Sequence, residues 1–160
     1  MIRVLLTSVD GAVLELEASR ASTVWDLKLR AAERCAVPAE CMCLAQGASV
    51  LGDAVRLAVA AAQGPAQGPE DVPAELALTL VVTLDRVRRD LAGKDRAKRL
   101  EALKALARLG HRGGCEDTVG LIGASVGDAD PGVRRAATEA LLQVAGRGDP
   151  RAVEAVCAHV

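Results

Sequence analysis

The first eighteen residues alternate. In IRVLLT (2–7) inward apolar positions recur every second residue, and after Asp10-Gly11 the run AVLELEA (12–18) does the same. A period of two predicts two strands, and Asp-Gly between them predicts a hairpin turn. Val4 and Leu6 then share a face with Leu14 and Leu16, which leaves Glu15 and Glu17 in water. From Thr23 the period lengthens: Val24, Leu27 and Ala31 form a helical stripe, with Thr23 at the N-cap and Asp26 completing a capping box. Pro38 closes this helix, and CMCLAQG (41–47) predicts a short strand ending in a Gly turn. An apolar segment over 51–62 leads into the loop QGPAQGPEDVPAE, and residues 76–84 predict a last strand with Leu78 and Leu80 inward.

From Asp85 the pattern is helical throughout. A leading helix over 85–92 carries Val87 and Leu91, and Leu100, Leu103, Leu106 and Ala107 stripe the next one. Gly113-Gly114 breaks that helix before another from about Cys115 to Val126. Self-comparison pairs Glu101 with Glu139, Ala102 with Ala140, Leu103 with Leu141, Ala107 with Ala145, Gly110 with Gly148 and Glu116 with Glu154, all at an offset of 38. A period near 40 with two helices per unit predicts a helical solenoid. Asp130 and Asp149 are N-caps, each before a Pro at the first helical position. Val133, Ala136, Ala137, Ala140, Leu141 and Val144 make the buried stripe, and Val153, Val156 and Cys157 recur on one face of the last helix.

Two resemblances follow. The helix start S-T-V-W-D-L-K, the A-V-P-A-E turn, L-A-Q-G, V-L-G-D and the closing L-T-L-V-V-T-L resemble ubiquitin-like segments in order and spacing. D-A-D-P-G-V-R-R-A-A-T-E-A-L and G-D-P-R-A-V-E-A-V are similar to the short HEAT repeats of the bilin-lyase type. The expected fold class is therefore α+β: a ubiquitin-like β-grasp over 1–84, a linker helix over 85–94, and an all-α solenoid of two HEAT-type repeats over 95–160. The ubiquitin-like resemblance implies a protein-binding patch of Val9, Leu44 and Val81 on the open sheet face, flanked by Gly47 and Thr79. Alternation places Leu44 outward if Cys43 and Ala45 face the core, and the alternative use of this face is docking on the second half of the chain. The resemblance further implies partners from the ubiquitin or proteasome system. It departs from the family where Thr83-Leu84 runs into Asp85-Arg86 with no terminal Gly pair, so conjugation is not expected. Ala48 stands where ubiquitin carries its chain-building lysine, and Met42 and Thr83 stand where its patch has basic neighbours.

Composition narrows the function. Trp25 is the only aromatic residue, with no Phe or Tyr, which excludes domains that stack bases on rings or read Pro-rich peptides in an aromatic groove. Trp25 itself is read either as an interface anchor or as a cover for the edge of a small core. The formal charge of −1 splits into 6 Lys and Arg against 10 acids over 1–84, and 14 against 11 over 85–160. Ten basic residues against four acids over 85–112 give the alternative function, a nucleic-acid or acidic-surface binder; the solvated face of an amphipathic helix is the plainer reading. Five Cys, with no signal-peptide pattern or membrane-length apolar run, predict a cytoplasmic or nuclear protein with free thiols. His111 and Cys115 are close in sequence, but neither they nor His159 form a nucleophile or metal motif, so no enzyme, cofactor or metal is expected. The chain reads as a non-enzymatic adaptor or scaffold. A fragment of a larger ubiquitin ligase or bilin-lyase-like protein is a further alternative.

Overall fold

The computed structural model describes residues 1–62, 75–110, 116–145 and 149–158. The loop over 63–74, the Gly113-Gly114 break, Arg112, the His111–Cys115 pair and His159 lie outside the described residues. The chain divides into two compact units, Met1–Thr83 and Leu84–Val160.

The first unit is a mixed sheet crossed by a helix. Strands β1 (Ile2–Ser8) and β2 (Val13–Ala18) form the hairpin, with Val4 opposite Leu16 and Leu6 opposite Leu14. The turn is closed by Gly11 N–H donating to Ser8 O (2.9 Å), and Gly11 takes the left-handed φ of +87° that an L side chain resists. Helix α1 spans Val24–Cys35, followed after a short 3-10 turn (Ala39–Cys41) by β3 (Met42–Gln46) and β4 (Ser49–Val50). Helix α2 (Leu57–Ala62) and strand β5 (Glu75–Val82) complete the unit. The strand order is β2-β1-β5-β3-β4; β1 and β5 are parallel and the other pairs antiparallel. One face of this sheet, with Ile2, Val4, Leu6, Leu44, Leu76 and Leu78, packs with Val24 and Leu27 of α1 into an aliphatic core. A core without rings holds together through many small contacts, and each fully buried Leu, Val or Ile side chain contributes about 1.5–3 kcal/mol.

The second unit contains α3 (Asp85–Ala92), α4 (Arg96–Leu109), α5 (Glu116–Ala124), a 3-10 turn (Ser125–Gly127), α6 (Pro131–Val144) and α7 (Pro150–Cys157). Helix α4 packs on α3 and α6, and α5 packs on α6 and α7. Leu103, Leu106, Ile122, Val133 and Leu141 fill this core. The helix starts correct the repeat length. Asp95 and Asp130 cap helices of equal length 35 residues apart, where residue identity had suggested 38. A three-residue shift is almost one helical turn, so it returns Ala and Leu to nearly the same face and preserves the match. Val153, Val156 and Cys157 share one side of α7, and that side is exposed; α7 contains no fully buried residue.

Candidate protein-binding surfaces

The open face of the sheet takes every outward position of its strands. Leu5, Cys43, Ala45 and Val81 are half-buried there, with Cys43 directly opposite Val81 and Ala45 opposite Thr79. Thr79 is exposed, and Val9 at the hairpin turn is 78% exposed. Arg3 pairs with Glu15 on the same face, and Glu17 and Glu75 stand nearby in register, so the apolar centre has a mostly acidic edge. Gly47 forms the turn between β3 and β4 with a φ of +58°.

Leu44 is not part of this face. It is 0% exposed and belongs to the core beside Leu80. The physical reason lies upstream: Cys41 is held in the 3-10 turn, its N–H donating to Pro38 O (2.9 Å), so the strand begins at Met42. Met42 and Leu44 point inward and Cys43 and Ala45 outward, the reverse of the expected alternation. The same shift separates Cys41, buried, from Cys43, on the open face.

Helix α1 is anchored at its start without an orphaned donor. Val24 N–H donates to Val55 O (2.9 Å), Trp25 N–H to Asp53 O (3.0 Å), and Asp26 N–H to Thr23 Oγ1 (3.2 Å). Asp26 in turn accepts from Thr23 N–H (2.8 Å) and from its hydroxyl, and these bonds hold its carboxyl below the usual carboxylate range. The Trp25 side chain is half-buried beside this junction. Sequence reasoning missed Lys28, which is 5% exposed and reaches Asp53 Oδ1 at 2.6 Å. A signal existed: Lys28 lies four residues after Val24 and three before Ala31, on the buried stripe.

In the second unit, among the described residues, five members of the basic run pair with acids. Arg86 pairs with Asp90, Arg88 with Asp85, Lys104 with Glu101, Arg96 with Asp130 and Arg99 with Asp128. The last two link consecutive repeats. Arg99 Nε lies 3.0 Å from Asp128 Oδ2 with both side chains mostly buried, and its Nη1 donates to Gly93 O (3.0 Å). At the offset of 35 the equivalent of Arg99 is Arg134, whose Nη1 donates to Asp128 O (2.9 Å), the equivalent of Gly93 O. Asp130 caps α6 by accepting from Gly132 and Val133 N–H (2.8 and 3.1 Å), and Gly132 has no side chain where Arg96 and Asp130 meet. Partial burial pushes the Asp130 carboxyl up, but the hydrogen bond from Arg96, the two N–H groups and the Arg96 charge outweigh it and hold the group low. A carboxyl depressed in the folded state contributes stability that is present above its unfolded value, about 3.9, and lost as pH falls through its folded one. Melting from pH 7 to pH 3 should therefore show a smaller acid-induced drop for Asp130→Asn, which keeps a capping oxygen, than for the unaltered chain.

Among the described residues no group of three or more His, Cys, Asp or Glu is placed to hold a metal ion, and no helix is long and apolar enough to cross a membrane. Comparison with curated proteins returns no match. Residues 84–160 match the family model for HEAT repeats, so the C-terminal part of the chain is a HEAT-type helical array.

Proposed function

We propose that the chain is a non-enzymatic protein-interaction adaptor in which an integral, non-conjugated ubiquitin-like β-grasp unit is joined to a HEAT-type binding module. The observation that carries the scaffold role is the HEAT match over 84–160, since such arrays generally work as protein-binding surfaces. The β-grasp reading is supported by the strand order β2-β1-β5-β3-β4, with the first and last strands parallel at its centre and α1 on one face. Lack of conjugation is supported by Leu84, which is the N-cap of α3 and leaves no free Gly-Gly tail at that point. The site on the first unit comprises Val9, Thr79 and Val81, with Leu5, Cys43 and Ala45 in place of Leu44 and with Gly47 shaping its edge. Trp25 is assigned to the separate junction at the start of α1. Because the edge is acidic, the fitting partner is an amphipathic helix with basic flanks from a ubiquitin-binding or proteasome-associated protein. A cytoplasmic or nuclear location goes with such partners.

Titration with a labelled ubiquitin-binding helix tests this. Val81→Asp should weaken binding at least about tenfold by placing a charge in the apolar centre. Equal affinity of the two chains would remove this face from the account.

A further inference from the structure

Strand pairing sorts the open face of the sheet into rows that cross the strands. Val13, Thr7, Thr79, Ala45 and Val50 are register partners in turn from β2 to β4. None of them is charged, and Val13 and Val50, at the two edges, are 63% and 69% exposed. On one side of this row lie Val81 and Cys43, with Val9 of the hairpin turn beyond the end of β1. On the other side come Glu15, Leu5 and Ala77, and then Glu17, Arg3 and Glu75. Neighbouring rows on one face are two residues, about 6.7 Å, apart, so the surface passes from uncharged to three carboxylates within about 13 Å. Among the described residues Arg3 is the one cation at an outward strand position. Its hydrogen bond to Glu15 and the charge of Glu15 hold it above its ordinary basicity against a smaller loss of hydration, and Glu75 and Glu17 add to the effect. At the opposite end the Asp10 carboxylate is taken up by its own turn, accepting from the Ser8 hydroxyl and the Ala12 N–H.

We propose that this gradient orients the ligand: the open face takes an amphipathic helix laid across the strands over the two apolar rows, with its basic residues on one flank only, beside Glu15, Glu17 and Glu75. The row from Val13 to Val50 crosses five strands, about 19 Å, which about 13 helical residues span. Lysines on the flank beside Glu15 meet carboxylates, whereas on the opposite flank they meet the hairpin turn, whose Asp10 is already engaged. Turning such a helix end for end exchanges its flanks, so the flank that carries the lysines decides which way the helix runs. The proposal rests on the reading of the open face as the binding site of the first unit and adds the arrangement of charge that its partner carries.

The probes are two synthetic amphipathic helices of equal composition, one with three lysines on the left flank of its apolar face and the other with them on the right. Each carries a nitroxide at its N-terminus and is titrated into the isotopically labelled full chain. Both should bind saturably, one quenching the amide of Val13 and the other that of Val50. Three exposed ion pairs together set a preference of about tenfold for one direction. Glu17→Gln with Glu75→Gln should abolish the preference, so that each probe quenches both edges. Both glutamates are exposed, and unmoved amides of Met42 and Leu44 report that the fold is kept. Saturable binding in which both probes quench the same edge, or in which each quenches both edges of the unaltered chain, would overturn the proposal and leave the open face as a binding site. Saturable shifts on neither probe would remove that reading and the proposal together. Sedimentation showing a dimer dissolved by Val81→Asp would assign the face to a second copy and overturn the proposal.

Discussion

Leu44→Asp is expected to unfold the N-terminal unit, because this side chain is fully buried between the sheet and the rest of the aliphatic core. Truncating a buried leucine costs about 2–5 kcal/mol. Burying a carboxylate with no partner costs several more. The sum is comparable to the roughly 5–15 kcal/mol that holds a domain folded. Val81→Asp, on the open face, should cost only about 1 kcal/mol, the range of strand preference at a half-exposed site. Circular dichroism melts of the two variants check this: the N-terminal unit contributes a cooperative transition in Val81→Asp and none in Leu44→Asp, where only the transition of the helical unit is left. The contrast matters for function, since loss of a partner in Leu44→Asp would report unfolding, whereas the same loss in Val81→Asp would report the surface.

Asp53→Ala should have the second large effect. It leaves the Lys28 ammonium, with its side chain 6% exposed, without the carboxylate 2.6 Å away. Breaking a buried pair costs about 3–5 kcal/mol, and the one-third exposure of Asp53 lets water recover part of this, so about 2–3 kcal/mol is expected. The carbonyl that accepts from Trp25 N–H belongs to the backbone and survives the change. Adding Lys28→Met should recover much of the loss, because an apolar side chain of similar length has no charge to strand. Urea titrations of the two single variants and the double variant measure the coupling directly.

Local chemistry was the most legible part of this chain. Asp10-Gly11 predicts the turn and Thr23 with Asp26 predicts the capping box, because each rests on residues within four positions of one another. The register of β3 was not legible. It depends on whether Cys41 starts the strand or closes a turn after Pro38, and a short run of small apolar residues fits both. The repeat length failed for a related reason, since Ala- and Leu-rich helices match themselves when shifted by one turn, and only the caps Asp95 and Asp130 fix the frame. The ion pairs between the repeats join residues about 30 positions apart, so no local pattern reports them. Five members of what reads in sequence as a basic stripe are, in the fold, paired with acids.

The adaptor account is tested most directly by mapping the amide shifts of the isotopically labelled full chain as a ubiquitin-binding helix is added. The account predicts saturable shifts centred on Leu5, Cys43, Ala45, Thr79 and Val81, with the core-facing amides of Met42 and Leu44 moving less and α3–α7 unchanged. Shifts confined to the helical unit, or none at all, would contradict it.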